Sequence, residues 1–209
     1  MTWRKRIFDL FFASLLVIIL GPILIWLICY LLIKEGRPLF YVAERMKGPK
    51  TPFNLWKLRT MTVVDEDSGV SGAHKASRVT ETGAWLRRKR LDEFPQLWNI
   101  LKGDLSFVGP RPPLREYVER FPDLYAKVLE SRPGVTGLAT IRFHKHEDRL
   151  LSRCETPEET DDIYCRICVP RKARLDLIYQ RHQSTCYDFE LVFQTIGNLF
   201  RRSKAGNRS

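Results

Sequence analysis

The chain has 209 residues, enough for one domain with a sizeable core, and a net charge of +11. That excess favours anionic partners (phosphorylated substrates, nucleic acid or the anionic face of a bilayer) and argues against cationic ones. Five cysteines, an odd number without a paired framework, exclude a disulfide-stapled scaffold and fit a reducing, cytosol-facing setting.

Ile7 to Ile33 is almost wholly apolar, with Asp9, Ser14 and the pair Gly21-Pro22 as exceptions. It is too long for a signal-peptide core, and no small-x-small cleavage pattern follows, so it reads as a membrane segment. Arg4, Lys5 and Arg6 precede it and Lys34 and Arg37 follow it, so the positive-inside rule assigns no opposite sides to its ends. Pro22 removes a helical hydrogen bond near the middle. Broken there, each arm is only ~16–22 Å long, short of a ~30 Å hydrocarbon core. These residues leave two readings open: a kinked span, or a re-entrant helix that enters and leaves on one face. Asp9 is expected to pair with Arg4 or Arg6 at headgroup level.

Leu39 to Val42 and Phe53 to Arg59 read as strands, separated by the turn Gly48-Pro49-Lys50-Thr51-Pro52, and together predict a small hairpin. Lys57 and Arg59 are expected on a face opposite the apolar one, as phosphate ligands or as a solvated strand face. Asp65 to Ser77 reads as a loop, a candidate lid, and its Asp65-x-Asp67 pair is a weak metal signal. Ala84-Trp85-Leu86 opens a short helix that runs into Arg87-Arg88-Lys89-Arg90.

Asp92 and Glu93 follow this basic run directly. Pro95 is tolerated only in the first turn of a helix, where amides have no internal acceptor. That predicts a helix over Phe94 to Leu101, ended by Gly103, with Asp92 at or just before its positive end. Adjacent helical residues point roughly 100° apart, so the two carboxylates are expected to take different roles. Arg111, fixed between Pro110 and Pro112, is suited to bidentate phosphate binding. Arg132-Pro133-Gly134-Val135-Thr136-Gly137 reads as a rigid basic turn.

Leu114 to Leu129 predicts a helix interrupted near Phe121-Pro122. Thr156-Pro157-Glu158-Glu159 starts another. Arg171 to His182 and Tyr187 to Phe200 are helices, and 201–209 is expected to be a disordered tail. Cys165-x-x-Cys168 with His182 and Cys186 has zinc-like spacing. A helix starting at Pro170 would carry His182 and Cys186 away from Cys165, and His144-x-His146 would need a strand and a third ligand. There is no P-loop and no Gly-x-Gly-x-x-Gly element. The fold class is therefore α+β, mostly helical with a small β-hairpin. It divides into a membrane helix over 1–36, a catalytic domain over 37–200 and the tail.

The motifs resemble those of the bacterial sugar transferases, specifically the small monotopic phosphoglycosyl transferases. The likeness rests on Lys5-Arg6-Ile7-Phe8-Asp9, Lys57-Leu58-Arg59-Thr60-Met61, Leu86-Arg87 and Leu91-Asp92-Glu93-Phe94-Pro95-Gln96-Leu97-Trp98-Asn99. It continues through Lys102-Gly103-Asp104-Leu105-Ser106, Val108-Gly109-Pro110-Arg111-Pro112 and Arg132 to Leu138. The resemblance implies a re-entrant helix broken at Gly21-Pro22, and transfer of a phosphosugar from a UDP-sugar to polyprenyl (undecaprenyl) phosphate with release of UMP. It implies Asp92 as nucleophile with Glu93 beside it, and a Mg²⁺ requirement with Asp92 at the metal. Arg87 and Arg111 match positions implicated at the phosphate site, and Lys57, Arg59 and Arg132 are further substrate-binding candidates. The expected setting is the cytoplasmic face of a bacterial inner membrane. A homodimer is compatible with the sequence, and nucleic acid is not an expected partner.

Two departures stand out. The family often has Ser-Pro at the helix break, where this chain has Gly21-Pro22. It often has Ala-Gln after Thr136-Gly137-Leu138, where this chain has Ala139-Thr140. No long multi-helix region stands before the motifs, which is the expectation for a minimal form. Two rivals remain: a non-catalytic basic membrane adaptor, and a membrane phosphohydrolase that needs no lipid acceptor. The residues do not name the sugar.

Overall fold

The computed structural model describes residues 2–62 and 78–205; the predicted loop Asp65–Ser77, with its Asp65-x-Asp67 pair, lies outside the described residues. The first helix, α1, runs from Trp3 to Glu35, capped by Thr2, whose hydroxyl accepts from the Lys5 amide. Helical structure continues through Gly21-Pro22, so the predicted weak point is a proline inside one helical run rather than an unwound gap.

Both ends of α1 are fastened to the same globular body. At the start, Arg6 donates to the Ile100 and Leu101 carbonyls at 2.7 and 2.8 Å. Lys5 Nζ meets Asp188 Oδ2 at 2.6 Å and the Tyr179 hydroxyl at 3.2 Å. Asp9 pairs with neither Arg4 nor Arg6. It is fully buried and accepts from Ser106 Oγ at 3.0 Å and from the Phe107 amide at 3.2 Å. The expectation failed because Arg4 is exposed and Arg6 is taken up by the α3 carbonyls, while residues that come together only in the fold supply the donors to Asp9. At the far end, Leu27 and Leu31 pack with Leu58 and Leu86. There Thr80 Oγ1 donates to Glu35 at 2.9 Å and Arg59 Nη2 donates to the Glu35 carbonyl at 2.8 Å. Between these anchors Ile18, Ile19, Ile25 and Trp26 are exposed.

Strands β1 (Phe40–Gly48) and β2 (Thr51–Leu58) form the antiparallel hairpin, in register from Phe40↔Leu58 to Gly48↔Thr51. Lys57 shares its face with Phe53 and Leu55, both buried, and not with an opposite polar face. Period two requires this, since 53, 55 and 57 alternate together. Helix α2 (Glu81–Lys89) is capped by Thr80, which accepts from the Gly83 amide at 2.9 Å. It ends at Arg90, which takes the left-handed conformation with φ 58°. The chain then makes a 3₁₀ turn over Leu91–Glu93 before α3 (Gln96–Lys102), which is capped by left-handed Gly103.

Strand β3 (Ser106–Val108) pairs in parallel with β4 (Gly134–Thr136), so the predicted Arg132–Gly137 turn contains a strand. Between them lie α4 (Arg115–Arg120) and α5 (Pro122–Val128), split at Phe121 as the proline requires. A parallel pair needs such a long helical crossover. At the β3–β4 junction a side chain on Gly109 would collide with the Arg132 carbonyl, and one on Gly134 with the Gly109 amide.

The remaining helices are α6 (Leu138–Leu151), α7 (Pro157–Ile163), α8 (Val169–His182) and α9 (Thr185–Ala205), with a π-helical turn over Tyr164–Cys168. His144 and His146 lie on α6, not on a strand. Cys165 packs with Tyr117 and Val128, while Cys168 packs with Phe143 and Leu151. His182 stands at the far end of α8, about 20 Å of helix from Cys168. Helix α9 continues to Ala205, into the segment expected as a disordered tail, and 206–209 lie outside the described residues.

Lys5→Met leaves the Asp188 charge buried with only the Tyr179 hydroxyl. It should cost about 3–5 kcal/mol in chemical unfolding of the detergent-solubilised protein, and Lys5→Met with Asp188→Leu should recover most of that loss. Gly134→Ala should lower the thermal midpoint strongly, because backbone of the β3–β4 junction occupies the space its methyl group needs.

Candidate active site

The carboxylate pair owes its place to three local features. The left-handed Arg90 reverses the chain out of α2. Pro95 then admits α3 without needing an amide partner. Asn99, on α3 and buried, closes the third contact. Its Nδ2 donates to the Asn54 carbonyl at 2.8 Å and its Oδ1 accepts from the Trp56 amide at 3.2 Å. These two bonds fasten α3 to the open edge of β2 and bring Asp92-Glu93 beside Lys57.

The two carboxylates sit in different environments. Glu93 lies 3.1 Å from Arg90 Nη1 and 3.7 Å from Lys57 Nζ. Burial alone would raise its carboxyl, but Lys57, Arg90 and Arg111 together hold it below the ordinary range. Asp92 is 8% exposed and forms no ion pair with a described residue. Burial pushes its carboxyl up and the Glu93 charge adds to the rise, against Lys57 and Arg87. Lys57 is itself lowered by burial and by the Arg111 charge. An adjacent pair pushed apart in this way is equipped for two roles, one carboxylate neutralised by cations and the other available.

Of the residues expected at the site, Lys57, Arg87 and Arg111 surround the pair. Arg87 Nε is anchored to the Thr60 hydroxyl at 2.8 Å, leaving its terminal nitrogens for other partners. Arg111 is exposed, with no hydrogen bond or ion pair to a described residue. Arg59 and Arg132 stand elsewhere. Arg59 holds the α1 C-terminus through the Glu35 carbonyl. Arg132 lies near Arg6, Asp9 and Asp104, where burial and the Arg6 charge lower its guanidinium. Together with Lys47 and Gly103 it lines a separate cavity of about 290 Å³.

Two contributors were not singled out from sequence. Arg90 clamps Glu93, and its i,i+3 spacing was a readable signal. Asn99 supplies the α3–β2 link, which only the pairing of distant segments reveals.

The donor set suits a hard divalent cation. Two adjacent carboxylates, one without an ion pair to a described residue, match the way Mg²⁺ is held by one or two acids plus substrate phosphates. Among the described residues no cluster of three or more His, Cys, Asp or Glu side chains is placed to hold a metal without such phosphates.

The sequence profile of bacterial sugar transferases matches residues 1–202. The chain belongs to the bacterial sugar transferase family. Among its relatives is a UDP-glucose:undecaprenyl-phosphate glucose-1-phosphate transferase of Klebsiella pneumoniae, 32% identical over 96% of this chain and 41% of that protein. A Caulobacter vibrioides protein of the same description is 32% identical over 97% of this chain and 72% of its own length. An undecaprenyl-phosphate galactose phosphotransferase of Salmonella typhimurium is 33% identical over 64% of this chain and 31% of that protein. The sugar transferase chain described here thus spans about two fifths of the Klebsiella relative.

Because its folded carboxyl is raised, Asp92 should lose its charge, as pH falls, at a higher pH than the ordinary 3.8. Carboxyl ¹³C shifts of labelled protein, assigned with Asp92→Asn, measure this. Glu93→Gln should move the Asp92 titration to lower pH, because it removes the neighbouring negative charge.

Proposed function

We propose that the chain transfers a phosphosugar from a UDP-sugar to polyprenyl phosphate through a covalent intermediate on Asp92. The observation that carries this reading is Asp92 itself, a carboxylate without an ion pair to a described residue, set among Lys57, Arg87 and Arg111 beside a cation-clamped Glu93. The printed names of the Klebsiella and Caulobacter relatives describe the same class of transfer.

In the first displacement an Asp92 oxygen attacks the sugar-bearing phosphorus of the donor. The bond from that phosphorus to the bridging oxygen breaks, and UMP leaves with the electron pair. In the second, a phosphate oxygen of the polyprenyl acceptor attacks the same phosphorus and expels the Asp92 carboxylate. Splitting the transfer removes the need to hold both large substrates together. Asp92 needs no general base while it is ionised. Lys57, Arg87 and Arg111 offset the repulsion between a carboxylate and a diphosphate and stabilise the departing UMP. Mg²⁺, held by Asp92 with Glu93 nearby, would add charge neutralisation at the phosphates. Glu93, clamped by Arg90 and Lys57, orients the pair.

The membrane reading follows from α1. A transmembrane helix separates its ends by the ~30 Å hydrocarbon core, yet both ends of α1 are bonded to one body. The exposure of Ile18, Ile19, Ile25 and Trp26 between them supports a helix that enters and leaves the bilayer on a single face, which we take to be the cytoplasmic one. The site then lies at headgroup depth, where a polyprenyl phosphate presents its charge. The sugar stays open, since relatives are named for glucose and for galactose.

Incubation with UDP-sugar radiolabelled in the sugar should leave label covalently on the wild-type protein and none on Asp92→Asn. Full turnover by Asp92→Asn would refute the nucleophile. A phosphohydrolase would release free phosphosugar without acceptor, and a non-catalytic adaptor would bind anionic lipid independently of Asp92.

A further inference from the structure

The hairpin carries a cation, Arg45, that the motifs do not point to. Strand alternation puts Arg45 on the same face of β1 as Ala43, with Phe53 and Leu55 opposite on β2. This is the inward face, since Ala43, Phe53 and Leu55 are all buried. Lys57, paired with Tyr41, lies further along that face. A half-buried guanidinium on a core-facing strand position ordinarily has an acid partner. Arg45 has none among the described residues. Its hydrogen bond is to the Glu44 carbonyl at 2.9 Å, and Glu116 is nearby without pairing.

The surrounding bonds bring this guanidinium to Arg111. The Met46 amide donates to the Pro113 carbonyl at 3.0 Å. Arg115 grips Glu44 through two bonds of 2.8 and 3.0 Å. Residues on either side of Arg45 are thereby fastened to the segment just after Arg111. Burial and the Arg111 charge both lower the Arg45 guanidinium, so the two cations repel. Holding two guanidiniums together without an anion costs stability, and an arrangement of that kind is what a phosphate group would relieve.

We propose that Arg45 and Arg111 together form a two-guanidinium clamp for a phosphate ester, supplied either by the nucleotide donor or by the lipid acceptor. The clamp rests on the reading of Asp92-Glu93 as a phosphosugar-transfer site, but its binding test needs no transfer chemistry.

Thermal unfolding of the full chain in nanodiscs, titrated with inorganic pyrophosphate, tests it. Pyrophosphate should raise the wild-type midpoint. Arg45→Gln should match or exceed the wild-type midpoint without ligand and bind pyrophosphate about tenfold or more weakly. Arg45→Lys should restore part of the response. No response in the wild type, or an unchanged response in Arg45→Gln, overturns the clamp. A lower ligand-free midpoint with unchanged response assigns Arg45 a structural role and also overturns it. The half-reactions then distinguish the sources. Slower labelling of Arg45→Gln by UDP-sugar assigns the clamp to the donor. Slower discharge to polyprenyl phosphate, with labelling intact, assigns it to the acceptor. Neither being slowed overturns the proposal, whereas a label that survives in Asp92→Asn refutes the underlying reading instead.

Discussion

An apolar helix of 33 residues has no stable place in water unless much of its surface is covered, and α1 is covered only near its ends. The bonds there are specific: Lys5 to Asp188 and Asp9 to Ser106, both buried, and Glu35 to Thr80, half-buried. Burial makes each one demanding, because a charge removed from water tolerates no poor partner. These anchors settle how the rest of the protein is arranged. Helix α3 lies under the first arm, since Arg6 holds its last carbonyls. Helix α2 and the end of β2 lie under the second arm through Leu58 and Leu86. The Asp92-Glu93 turn connects α2 to α3, and so it falls between the two anchored arms.

The division of labour within the pair follows from which cations reach which oxygen. Adjacent carboxylates in a 3₁₀ turn diverge, and the cations of this site are unevenly shared between them. Arg90 and Lys57 lie close to Glu93, so it is the better-neutralised partner. Asp92 faces the same positive field at longer range and forms no ion pair with a described residue. Burial raises the cost of its charge, and the Glu93 charge raises it further.

Local chemistry was readable in the sequence to a useful depth. Pro95 fixed the start of α3, Thr156-Pro157 the start of α7, and Gly48-Pro49-Lys50 the hairpin turn. What could not be read was which distant groups meet. Asp9 looked for partners along its own helix and found Ser106 nearly a hundred residues away. Arg59 and Arg132 carried the right charge for a phosphate site, yet one caps α1 and the other faces Arg6. Residue type does not reveal whether a guanidinium is already occupied by a backbone carbonyl. The polarity of Lys57 suggests a solvent face, but the two-residue period puts it beside Leu55, where burial of its aliphatic stem satisfies both.

The Lys5–Asp188 bond also sets a timetable. Its partners are separated by 183 positions in the chain, so during synthesis at about 5–20 residues per second, Lys5 waits roughly 10–40 seconds for its carboxylate. Throughout that interval the first helix is complete but only partly anchored, with its apolar surface uncovered by protein. The helix that carries Asp188 therefore acts as a latch: the N-terminal arm is sealed only once that carboxylate has been made, and until then lipid or a chaperone must shelter it from aggregation.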